Sequence, residues 1–352
     1  MAAFISFQPQ DYFSPKIYAG SASAVTVTGL DFQPDMTWTK DRQNTGYHAL
    51  IDSVNGAGKY LQPDNTSTQS TVANNCITSF TSDGFVTGTA APSNNSSSSG
   101  IGFISWNWKM GTTSGIDATG ASITPTGYSF NQTSGQSIIT YTGNGVAGAT
   151  IPHGLGAAPD FIITKELDTG GNDWGIFHTS IGNGQAVWLN TTTAAGTSTT
   201  YWNDTSPTSV LFSVGTNTQS NGSGTDYVAY CFAAKQGYSQ FGIYSGNGSS
   251  DGPFIYTGFR PAYILFKERF IARDWIIYDD KRLGYNPNNT QFLANTIDAA
   301  VTDAAAYIDL CSNGFKIRGT KSWINTSAEP YLYMAFGEFP IVSSNSKAGT
   351  AR

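Results

Sequence analysis

Apolar residues fall in runs of four to eight, rich in Val, Ile, Tyr, Phe, Trp and Thr, and clusters of Gly, Asn, Asp and Ser separate them. That is the pattern of short strands joined by turns. Helical spacing is absent except around residues 297–310 (IDAAVTDAAAYIDL), where the alanines equally suit an irregular turn. The runs at 160–164 (DFIIT) and 263–266 (YILF) are apolar on both parities, which predicts central strands covered on both faces.

The pattern repeats. QPDMTWTKD (33–41), APDFIITKE (158–166) and RPAYILFKE (260–268) each place a lysine six residues after a proline: Pro34 and Lys40, Pro159 and Lys165, Pro261 and Lys267. A Y-x-G phrase precedes each (YAG, YTG, YSG). GYHALIDSV, DWGIFHTSIG and DWIIYDDKRLG follow, with Trp174 and Trp275 in the second and third copies and Tyr47 expected in the corresponding place of the first. An aromatic-Leu step then leads into an Asn/Thr turn (KYLQPDNTS, AVWLNTTT, TQFLANTID). Each copy closes on GFISWNWKM, YVAYCFAAK or YLYMAFGEF. A period of about 100 residues suits one small domain.

These signals predict an all-β chain of three tandem antiparallel β-sandwiches of jelly-roll or lectin-like type, at 17–110, 138–238 and 239–340. Outside them lie a docking arm at 1–16, a Gly/Ser/Thr-rich linker or loop at 111–137 and a C-terminal tail at 341–352. A proline cannot donate to a sheet ladder, so it stands at the strand entrance. The lysine emerges at the far end as part of the scaffold, its stem along the sheet, or tied by a salt bridge that fixes the next loop.

The net charge of −6, with Lys and Arg scattered singly, argues against a nucleic-acid partner, which needs clustered positive charge. No run approaches the length of a membrane helix, and the start MAAFISFQPQDYFSPK lacks a basic segment before a long apolar one, so neither membrane insertion nor secretion is expected. Cys76, Cys231 and Cys311 are too few and too far apart for a disulfide framework and read as small core hydrophobes. GNGVAG (143–148) and NGAGKY (55–60) lack the helix and the residues that nucleotide loops require. His48, His153 and His178 show no metal-ligand spacing, and His178, aligned with Asp279 and Ile51, suits an edge or surface position. No catalytic residue, metal ligand or cofactor is expected. The Asn-x-Ser/Thr sites, among them Asn190 and Asn325, mark surface turns.

With these phrases assembled, the chain resembles a family of tailed-bacteriophage proteins built from tandem copies of such a domain. The likeness rests on YTGNG, GLDFQPDMTWTK (29–40), GLGAAPDFIITK (154–165), the DW phrases, SNGF and the closing strands, and it spans about residues 1–340. It implies a virion structural protein, assembled in the host cytoplasm and exposed on the tail or capsid surface, whose partners are other virion proteins and a host surface glycan or protein. A tail fibre or tail-attached adhesin is the first expectation, and a homo-oligomer, such as a trimer, accompanies it. A capsid decoration or head-fibre protein is the alternative, and a secreted carbohydrate-binding module the second. Loops after the repeated strands would carry recognition through Arg42, Asn44, Asp168, Asn172, Arg269 and Arg273. Phe4, Phe7, Tyr12 and Phe13 of the arm would dock to the particle.

Overall fold

The structure is a computed structural model that describes residues 8–71, 76–89 and 100–339. It is all-β: antiparallel sheets carry the chain, and the helical pieces are single turns such as Thr218–Asn221 and Ser322–Asn325.

Each copy builds one large sheet with the same strand order. A first strand (Phe13–Ala19, Gln136–Thr142, Ser239–Ser245) pairs with the closing strand (Gly102–Trp108, Asp226–Phe232, Pro330–Gly337). The closing strand pairs with the lysine strand (Met36–Asp41, Phe161–Glu166, Pro261–Glu268), and that with a hairpin partner (Ala49–Asp52, Gly175–His178, Ile276–Asp279). A smaller sheet covers one face of each: Thr26–Val27, Gly84–Thr87 and Ile77–Thr81 in the first copy, Ala149–Pro152 and Leu211–Val214 in the second, and Phe254–Tyr256, Gly314–Ile317 and Ile308–Cys311 in the third.

The other face explains why these strands are apolar on both parities. Ile162, Tyr227, Ala229 and Cys231 of copy 2 face its own small sheet, as Ile264, Phe266, Tyr331 and Tyr333 do in copy 3. The alternate residues of all three large sheets meet in one further core: Trp38, Trp106 and Trp108 of the first copy, Phe161, Tyr230 and Phe232 of the second, Tyr263, Met334 and Phe336 of the third. Ring centroids of Trp106 and Tyr263 lie 5.5 Å apart, those of Phe232 and Phe336 5.7 Å, and those of Phe13 and Phe336 5.3 Å. Between the first and second copies, the Tyr230 hydroxyl donates to Asp52 over 2.7 Å. The three copies therefore share a core as well as a chain.

Several expectations change. The docking arm is part of the scaffold from Phe13 onward: the first strand begins there, Phe13 is fully buried in the shared core, and Tyr12 packs against that core. Phe4 and Phe7 lie outside the described residues, as does the tail. The 111–137 segment is no free linker. Its Gly127–Asn131 adds an edge strand to the second sheet, and Ile123 is buried in that copy's own core. The turn Thr218–Asn221 was hidden because it is one turn long. It positions the buried Asn221 carboxamide, which accepts from the Asn144 N–H at 2.8 Å and donates to Gly215 O at 2.8 Å. Asn325 repeats this with Asn247 and Gly319, so it is a buried clasp on the Y-x-G-N-G phrase and not a surface turn. Cys231 is a core residue as expected, whereas Cys311 is only half-buried.

Phe336 touches rings from the first and second copies, so Phe336→Ala should cost about 3–5 kcal/mol. Because the core is common, differential scanning calorimetry should show one cooperative transition shifting downward. Separate transitions for the copies would contradict the coupling.

Candidate functional site

The lysine strands end in buried ammonium groups. Lys40, Lys165 and Lys267 are fully covered, and each donates to two backbone carbonyls. One belongs to its own following loop: Gly46 O, Asn172 O (2.9 Å) and Arg273 O. The second belongs to another copy. Lys40 reaches Ile297 O (2.8 Å) in the third, Lys165 reaches Thr66 O (3.4 Å) in the first, and Lys267 reaches Thr192 O (2.9 Å) in the second. Copy 1 holds copy 3, copy 2 holds copy 1, and copy 3 holds copy 2, which closes a ring of equivalent contacts. The partners are carbonyls, not the carboxylates of a salt bridge. Burial pushes each ammonium down to about 8, partly offset by nearby carboxylates.

Two further contacts repeat around the ring. The Trp174 indole donates to Gln62 O (3.1 Å), that of Trp275 to Trp188 O (2.7 Å), and His48 Nε2 meets Leu293 O at 3.2 Å. Main-chain bonds then join Gln69 to Leu167, Ala195 to Arg269 and Ala300 to Arg42. His48, not the half-exposed Tyr47, thus stands in the tryptophan's place, a shift of one residue that only the strand register reveals. The same register aligns His178 with Asp52 rather than Ile51 and buries it completely, so it is not an edge position.

The histidines are spent on structure. Each uses Nδ1 as an acceptor, from Trp38 Nε1, Leu155 N or Ser180 N, which leaves the proton on Nε2 to be donated to Leu293 O, Thr208 O or Tyr333 O. Burial lowers His153 and His178 to about 4, so both are neutral at pH 7. Among the described residues no cluster with metal-ligand character forms.

The loop residues expected to bind a host are largely used by the ring. Arg42 O accepts from Ala300, and Arg269 O from Ala195, while the Arg269 guanidinium donates to Gln185 Oε1 at 3.0 Å. Asn172 and Arg273 supply the lysine acceptors. Asn44 binds back to Asp41, and Asp168 accepts from the Asp226 N–H. The structure distributes the six over three separate junctions and does not gather them into one site.

What is unequal among the copies is the solvent face of the small sheets. Register aligns Val27, Ile151 and Ile255 as the inward residues of their edge strands. Their neighbours on the other side of the strand are Thr26 in the first copy, Thr150 and the buried Pro152 in the second, and Phe254 and Tyr256 in the third. Phe254 is 46% exposed and Tyr256 68%. In the second copy Ser122 and Ile123 cap the edge at Thr150, through bonds of 3.1 and 3.0 Å to its carbonyl. The sequence held this signal as an aromatic FIY run where the other copies carry threonines, but without the register its outward direction was not readable.

Residues 8–340 match the model of a domain of unknown function, DUF7483, and the chain belongs to that family. No curated protein and no solved structure matches.

Two substitutions test the ring. Lys165→Met removes the ammonium from Asn172 O and from Thr66 O, which keeps the Gly171 N–H at 3.0 Å, and should cost about 1–3 kcal/mol in urea unfolding. Asp64, which caps the His48 N–H where the other copies use Asn190 and Asn295, is raised by burial from 3.8 to about 7. The folded state then holds a proton that the unfolded chain releases near 4, so stability is full below pH 4 and is lost as pH rises through 7. Asp64→Asn should lie close to the parent at pH 4 and exceed it by about 4 kcal/mol at pH 8, read as a pH-dependent difference in the urea midpoint.

Proposed function

We propose that this member of the DUF7483 family is a virion structural protein of a tailed bacteriophage, attached to the tail and presenting a host-binding surface. The observation that carries the reading is the contrast between ring and rim. The lysine contacts that join the copies repeat in all three, whereas one exposed face, in the third copy, departs from the other two. A scaffold that repeats with one face that differs suits a rigid carrier of a recognition surface. The likeness to tandem-domain phage proteins supports the same reading.

Ring closure favours a second reading, capsid decoration. Three equivalent units joined head to tail present three like edges, which match a three-fold position on a shell. In either case the closed ring satisfies within one chain the kind of contact that a homotrimer makes between chains.

Immunogold labelling of purified particles separates the two. Gold on the tail is expected, gold over the head would replace the first reading with the second, and unlabelled particles would overturn both. Because Phe13 is a core residue, the docking role of the N-terminus is tested by deleting residues 1–7 alone. The ring should keep its melting temperature while incorporation into particles falls.

A further inference from the structure

We infer that the outer face of the third small sheet binds a saccharide, a deepening that rests on the host-binding reading above. Register sets two rows across the face: Asp309, Lys316 and Phe254 in one, Cys311, Gly314 and Tyr256 in the next. Both rings reach toward glycines. A methyl group built on Gly314 would stand 2.9 Å from Cζ of Phe254, and one on Gly258 would stand 3.5 Å from the Tyr256 hydroxyl oxygen. The Phe254 tip thus lies near a glycine of the neighbouring strand and the Tyr256 tip near a glycine of the following turn, and both rings leave apolar surface in water beside the Tyr256 hydroxyl.

The surrounding charges are paired. Lys316 Nζ meets Asp251 at 2.8 Å, and Arg318 Nη1 meets Asp309 at 2.8 Å. Positive and negative groups balance, so the face attracts neither a phosphate nor a basic peptide, while its ammonium, guanidinium and carboxylates remain donors and acceptors for hydroxyls. Alongside the outermost strand, about 10 Å from the ring-bearing strand at two strand spacings, runs an open cleft of about 600 Å³ whose lining mixes apolar Pro287, Leu310 and Cys311 with polar Asn286, Asp309 and Arg318. Two exposed rings, a neutral rim of hydrogen-bonding groups and an adjoining cleft of mixed lining together fit a polyhydroxyl chain, whose C–H faces stack and whose hydroxyls bond outward. The equivalent positions in the other copies hold Thr26, Thr150 and Pro152, so folding of the sandwich does not require the rings.

The test applies the full chain to an array of bacterial surface polysaccharides and their oligosaccharides, followed by calorimetric titration of the strongest binder. The parent should bind, and the double variant Phe254→Ala/Tyr256→Ala should lose at least tenfold in affinity with its melting temperature unchanged. Thr150→Ala on the second copy should bind as the parent does. A parent that binds no saccharide on the array, or a double variant that binds as tightly, overturns the proposal. Gold-labelled particles without saccharide binding would overturn this face and leave the virion reading standing. Saccharide binding with unlabelled particles would do the reverse.

Discussion

An ammonium group removed from water must be given oxygens, and in this fold each of three buried lysines takes one from its own loop and one from another copy. Leaving such a charge unpaired inside a protein costs several kcal/mol. The lysine strand of one copy is therefore satisfied only when the turn of the next is in place. Closure of the ring, the position of the loops and the depth of the shared core all follow from that requirement.

Packing supports the same geometry. A sandwich strand normally alternates between core and solvent, but here the large sheets have a second buried face, and Trp106, Tyr230 and Met334 fill it from three directions. The small sheets then form the outside of the ring. Their inward residues, Phe85, Phe212 and Phe315, close the separate cores, and their outward residues meet water. Any surface that distinguishes the copies has to lie there or in the turns, because the remainder is committed to holding the ring.

This division bears on function. Loops after the lysine strands suggested recognition because they differ in sequence, yet their main chains are the acceptors and donors of the ring, and their differences are those of junctions between unlike copies. Among the described residues the third copy's Phe254 and Tyr256 make no contact of that kind. In the proposed reading these exposed rings are the surface left for a partner.

The strands, their repeat and the all-β class were legible in the sequence, because alternation and turn residues act locally. So was the importance of Lys40, Lys165 and Lys267, though as a scaffold of unstated geometry. Tertiary structure alone decided what those lysines touch, since Thr66, Thr192 and Ile297 lie 99, 75 and 257 residues from their lysines. It also moved the tryptophan's counterpart from Tyr47 to His48, because register is fixed by pairing across strands and not by similarity of phrase. It took Phe13 from a docking arm into the core, since an exposed and a buried aromatic read alike until the sheet that covers one of them is known. Local chemistry thus determined which segments are strands, and the closing of three sheets on one another determined which of their residues remain for any partner.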